Sequence, residues 1–288
     1  MKYLFIAVLL TLTLAAGSAE TPEGEYIDVA AYAQKSYITS DDRYLHPWVK
    51  KTVSGKTGGE QAVPWAGEEM HFSIHYGVIP AGTAYIKFNG VTNTDFGPAY
   101  RIEAAANSAK VIDAVFKVRD INYSWISTKD FSSYGYSQSI REGGYYRDEW
   151  VTFNAPIMLY YGMVKRKKGV EPIEGLTNGP VQDMFTSLFY VRMQDLDSNK
   201  DIIFDVTNRD QTYPLVVKVI KREKVKVPAG TFNCVVVEPA FRGEGIFTTK
   251  GKSLKVWLTD DERKMPVKMA AEVFIGSVSA TLEEYKIK

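Results

Sequence analysis

The chain is short of the residues on which most enzyme chemistry depends. Its 288 residues include one cysteine, Cys234, and three histidines, His46, His71 and His75. A single cysteine excludes an internal disulfide. It lies in the apolar run Asn233-Cys234-Val235-Val236-Val237, where a thiol packs as a small hydrophobe and is not activated as a nucleophile. G-x-S-x-G and S-x-x-K are absent beyond the N-terminal segment, and no glycine-rich phosphate loop or dinucleotide fingerprint occurs. Charge of one sign is lacking too: 35 Lys and Arg nearly balance 34 Asp and Glu, so no strongly basic face is expected and nucleic acid is not an expected partner.

Long apolar runs are also missing after the N-terminus. Lys2 followed by apolar Tyr3 to Ala16 and the small residues Gly17-Ser18-Ala19 has the pattern of an export signal, with cleavage expected near Ala19. The run is shorter than the roughly 20 residues a membrane-spanning helix needs. No cysteine stands near the cut to carry a lipid. The expected layout is a signal peptide over 1–19, an extension and linker over 20–64, and one antiparallel β domain over 65–288. The expected compartment is the periplasm, with no transmembrane span in the mature chain and no cofactor.

Aromatic residues are plentiful, with 18 Tyr and 14 Phe, which suits half-buried strands. The pattern is clearest from Lys255 to Tyr285, where alternating runs are broken by Asp260 to Lys264 and by Gly276-Ser277. Met70, Phe72, Ile74, Tyr76 and Val78 alternate with polar partners, and Ile79-Pro80-Ala81-Gly82 turns the chain back into Ala84, Ile86 and Phe88. Tyr100 to Ala106 predicts a third strand. Val111, Ile112, Val115, Phe116 and Val118 fit a short helix slightly better than a strand. Asn122 to Asn154 predicts two or three strands, and Lys165 to Gly179 an exposed loop. A helix is expected to start at Gly179-Pro180 and end between Tyr190 and Met193, with Met184, Phe185, Leu188 and Phe189 as its buried stripe. After Asp201 the chain reads as a β meander that includes a strand near Gly245 to Thr249. The fold class that follows is mainly β: a single large curved antiparallel sheet or open barrel with one or two short helices.

Several of these pieces together resemble the Domain-of-Unknown-Function 3108 family of bacterial exported proteins. They are Gly67-Glu68, Gly77, Gly82, Phe116 to Asp120, Asp183 to Arg192, Val227 to Phe232, Val256 to Asp261 with Pro266, and Ile275-Gly276-Ser277. The resemblance covers about Gly67 to Leu282 and implies a periplasmic β-rich domain without an established activity. The overall pattern also looks distantly like the curved-sheet lipoprotein carriers of the LolA/LolB type, a likeness of fold alone.

His71 and His75 stand about 13 Å apart along a strand, too far to share one metal ion. Asp195, Asp197, Asn199 and Asp201 have calcium-loop spacing, but Lys200 stands where glycine is needed and Val206 where glutamate is needed. Lys165-Arg166-Lys167-Lys168 could meet anionic headgroups, which makes peripheral membrane contact a partner reading. Asp183 and Arg192, at opposite ends of the expected helix, and Gly276 read as structural. The leading functional expectation is a non-catalytic protein that binds a lipid or another apolar small molecule on a concave face lined by Phe72, Tyr76, Phe88 and Trp257. Its competitor is an envelope structural or protein-interaction module whose concavity is filled by its own core. An enzyme is the least supported reading.

Overall fold

In a computed structural model of the chain, the described residues are 63–197, 200–208, 211–241, 253–272 and 276–287. The expected signal peptide, residues 20–62 of the extension and the strand expected near Gly245 to Thr249 lie outside them. The described residues form fourteen strands: β1 (Glu69–Tyr76), β2 (Ile79–Thr94), β3 (Gly97–Ser108), β4 (Arg119–Ser127), β5 (Ser133–Glu142), β6 (Tyr145–Asn154), β7 (Leu159–Arg166), β8 (Gly169–Leu176), β9 (Ile202–Asn208), β10 (Gln211–Val227), β11 (Gly230–Phe241), β12 (Leu254–Thr259), β13 (Pro266–Glu272) and β14 (Ser277–Lys286). Two helices interrupt them, α1 (Lys110–Phe116) and α2 (Met184–Met193).

All fourteen strands belong to one antiparallel sheet, ordered β8-β7-β6-β5-β4-β3-β2-β1-β14-β13-β12-β11-β10-β9. Consecutive strands pair from β1 to β8 and from β9 to β14, β1 pairs with β14, and β8 and β9 are left as the two edges. A short strap ties the β9 edge of the sheet to the β4–β5 region. In this strap Val181 O accepts from Ser133 N, Asp205 O accepts from Gln182 N, and Gln182 O accepts from Thr207 N. A barrel-like trough results, and α2 lies inside it.

The period-two patterns place the core as expected. Met70, Phe72 and Ile74 of β1 are buried while His71, Ser73 and His75 are only partly covered. Ile86 and Phe88 of β2, and Ile102 of β3, continue the same face. Two local expectations are corrected. Residues 165–176 are not a loop: β7 and β8 form a hairpin over them, and β8 reads as polar because it is an exposed edge strand, where Pro172 costs no central ladder bond. The long helix starts at Met184, not at Pro180, because Asp183 caps it and the preceding residues serve as the strap.

Candidate functional site

Helix α2 decides what the inside of the trough can do. Asp183 Oδ1 accepts from the backbone N–H of Phe185 (2.9 Å) and Thr186 (3.1 Å), and Thr186 Oγ1 accepts from Asp183 N (2.8 Å), completing a capping box. The same carboxylate accepts from Ser124 Oγ on β4 (2.9 Å) and Ser133 Oγ on β5 (2.6 Å). The cap therefore also fixes the helix start to the sheet. At the other end Arg192 Nη1 stands 2.7 Å from Glu68 Oε2, with both side chains fully buried. Arg192 Nε donates to Arg263 O (3.0 Å), and its guanidinium lies 4.5 Å from the Trp65 ring centroid and 5.0 Å from that of Phe189. A planar cation between aromatic faces and a carboxylate suits arginine and would not suit lysine.

Between these anchors Phe185 and Phe189 fill the concavity. Phe189 packs on Phe88 at 4.8 Å between ring centroids and on Trp65 at 6.2 Å. Leu188 and Met184, expected to be buried, are only partly so and pack at the margin of the core.

The four residues expected to line an open face are not together on one. Phe72 and Phe88 are each 1% exposed and belong to the packed core. Tyr76 shares their face but lies half-buried at its rim, where a Cβ on Gly276 (φ +81°) would stand 3.2 Å from the Tyr76 hydroxyl. Gly276 is thus needed both for its backbone conformation and for room. Trp257 is on the opposite face. The register runs Ser73–Thr281–Lys268–Trp257, so it points with Ser73 and away from Phe72. Its indole N–H donates to Glu223 Oε1 (2.7 Å), and Lys268 Nζ sits 4.8 Å from its ring. Asp183 and Arg192 are where a structural role requires them.

The other candidate sites resolve simply. His71 Nε2 meets Glu69 Oε1 at 2.6 Å. Of the expected calcium-loop residues Asn199 lies outside the described residues; Asp195 Oδ1 accepts from Asp197 N, and Asp197 pairs with Arg222. No group of three or more His, Cys, Asp or Glu suited to a metal occurs among the described residues. Burial pushes the Cys234 thiol up to about 11, so it stays protonated and unreactive.

One cluster was not anticipated. The core face turns polar where β4, β5 and β6 meet. Asn122 pairs across from Ala104, and Ser124 from Ile102, so both face the interior. Asn122 lies beside Gln138, which lies beside Glu149. Glu149 Oε1 accepts from Tyr136 Oη (3.2 Å) and from Gln138 Nε2, and Glu149 Oε2 stands 3.1 Å from Arg147 Nε in an ion pair with almost no exposure. Asp120 and Glu142, 3% and 4% exposed, complete the group. Burial pushes Asp120 up to about 6, against the Arg141 N–H that it accepts at 2.7 Å. Burial first, and then the charge of Asp120, push Glu142 up to about 8. The two carboxyls act as a proton-sharing pair on the core side of the sheet. They could hold a proton or a hydrogen-bonding group, but no nucleophile is seen beside them among the described residues. The signal was present in sequence: Asp120, Asn122, Ser124 and Gln138, Glu142 put polar residues on the phase that neighbouring strands fill with Ile and Ala.

This pair makes stability depend on pH. Both folded-state values lie above the ordinary carboxylate range of about 4, so the folded chain holds protons that the unfolded chain would release. The contribution is fully present in acid and is lost as pH rises from about 4 to about 8. The opposite sign comes from Glu69 and Asp113, held low chiefly by hydrogen bonds from His71 and Arg119, and it acts at lower pH. The melting temperature is therefore expected to fall between about pH 4 and about pH 8, and Glu142→Gln should flatten that fall. Equal slopes for both proteins in a thermal-melt series would refute the assignment.

Comparison with known proteins agrees with this architecture. Residues 71–283 match the family model described as protein of unknown function (DUF3108). No curated protein matches. Among solved structures, a β-barrel-like protein of domain of unknown function DUF1849 from Brucella abortus is similar over 79% of this chain and 100% of its own, with a TM-score of 0.54 at 11% identity. A Bacteroides fragilis chain described as an exported protein with a YmcC-like fold covers 79% of this chain and 99% of its own, at 11% identity and a TM-score of 0.33. A Parabacteroides distasonis chain described as a lipoprotein covers 78% and 100%, at 13% identity and a TM-score of 0.31. The first likeness is one of fold, and the other two are weaker. No helix among the described residues is long and apolar enough to cross a membrane.

Proposed function

The chain belongs to the DUF3108 family, and from that premise we propose that it is a non-catalytic protein of the bacterial envelope that works through contacts on its outer surface, its concave face being occupied by its own helix. One observation carries this reading: Phe189 and Arg192 of α2 sit against Phe88, Trp65 and Glu68, on the surface where an apolar ligand would otherwise lie. Export is supported by the Lys2 to Ala19 pattern. The absence of hydrolase, phosphate-loop and dinucleotide motifs supports a non-catalytic role.

The reading separates cleanly from a lipid carrier. A fluorescent fatty-acid probe is expected to show no saturable binding to the folded protein. Phe72→Asp is expected to unfold it, because a charge would enter a packed apolar core. Saturable binding that Phe72→Asp abolishes in a still-folded protein would restore the carrier reading.

A further inference from the structure

We propose that the rim bearing α1 docks on an anionic bilayer surface, an inference that rests on the outer-surface reading above. Successive turns put four features on one rim of the sheet: the β1–β2 turn at 77–78, helix α1 between β3 and β4, the β5–β6 turn at 143–144, and the β7–β8 turn at 167–168. The first three are stitched together: Ala81 O accepts from Ala109 N (2.9 Å), and Lys117 O accepts from Gly143 N (2.7 Å). From the first turn to the last the rim covers about six strand spacings, or roughly 29 Å along the sheet.

This rim is apolar where a soluble surface would be polar. Helix α1 buries none of its residues. Val111 and Val115, four apart and so on one helix face, are 72% and 76% exposed. Val78 at the neighbouring turn is 93% exposed and Ile79 is 51% exposed. Scattered exposed apolar residues are ordinary, but these gather on adjacent turns.

The charges beside them choose the partner. Lys110 and Lys117 flank the valines, and Lys167 and Lys168 form the far turn, all exposed. Among the described residues between the β1–β2 and β7–β8 turns, the acidic groups nearest the rim are engaged: Asp113 pairs with Arg119, Glu171 pairs with Arg166, and Glu142 is buried. Its outward field is therefore positive. Turns at the opposite rim carry Asp95, Asp130, Asp260, Asp261 and Glu262 against Lys129, Arg263 and Lys264, an acidic excess. Apolar tips set among lysines are the surface a membrane of anionic lipid accepts: side chains enter the headgroup boundary while the lysines meet phosphates.

Vesicle co-sedimentation with the purified exported protein tests this. Vesicles of phosphatidylglycerol and phosphatidylethanolamine should sediment it, those of phosphatidylcholine alone should not, and added salt should release it. Lys167→Glu with Lys168→Glu, and separately Val111→Asp with Val115→Asp, should each weaken binding by about tenfold or more at unchanged circular dichroism. Free glycerol phosphate should not compete, since an isolated headgroup offers no surface for the valines. Equal sedimentation with neutral vesicles, indifference to both variants, or an effect of the valine variant on oligomeric state alone would overturn the proposal. Such a failure, with the fatty-acid probe still unbound, would leave the filled-core reading standing.

Discussion

Arg192→Met is expected to cost about 3–5 kcal/mol of folding stability, the loss that follows when one partner of a buried ion pair is removed. Glu68 and Arg192 are both fully buried at 2.7 Å, so deleting the cation leaves a carboxylate without water and without its counter-charge. The loss includes the stacking of the guanidinium on Trp65 and Phe189 and its bond to Arg263 O. Glu68 is itself held by the turn that opens the domain: Trp65 O accepts from Glu68 N, and Glu68 O accepts from Phe88 N. Arg192→Lys should recover little, because a compact ammonium cannot stack and reach both oxygens at once. Adding Glu68→Gln to Arg192→Met should recover a large part, because the orphan charge is gone. Denaturant midpoints of the three variants test this. A single change worth less than about 0.5 kcal/mol, the ordinary size of a surface substitution, would mean the pair is not buried as described.

Much of this architecture was legible in the chain, and the misses have physical causes. Alternation in Met70 to Tyr76 and in Ser277 to Tyr285 reports directly on a sheet with one wet face. Asp183 was legible as a helix-end charge because an N-cap is a local interaction, although its bonds to Ser124 and Ser133 cross the fold and leave no trace in sequence order. Trp257 was assigned to the wrong face because periodicity gives the phase within a strand but not which phase points inward. In β12 both phases are covered, and a bulge between Trp257 and Leu258 shifts the register. The β8 strand was hidden by its exposure, since an edge strand with Pro172 and glutamates at 171 and 174 has the composition of a loop. The Asp120, Glu142, Arg147 and Glu149 cluster was hidden for the opposite reason. Polar residues from Asn122 to Asn154 suggest solvent, and only the register with Ile102 and Ala104 turns them inward. Likewise, α1 was readable as a helix from its spacing, but not as one that buries no residue.

The central claim is that α2 is a permanent filling of the trough and not a lid over a binding face. It is most directly tested by native-state hydrogen exchange of the 184–193 amides. A helix capped by Asp183, packed through Phe185 and Phe189, and anchored by Arg192 has no partial opening that exposes its backbone without breaking the core. Its amides should exchange only through global unfolding, with opening free energies equal to the stability of the molecule, on the order of 5–15 kcal/mol. They should lose protection with denaturant in step with Ile86 and Ile102 at the centre of the sheet. Exchange of the helix at low opening energy while β2 and β3 remain protected would show that α2 leaves the trough in the native state, and would contradict the account.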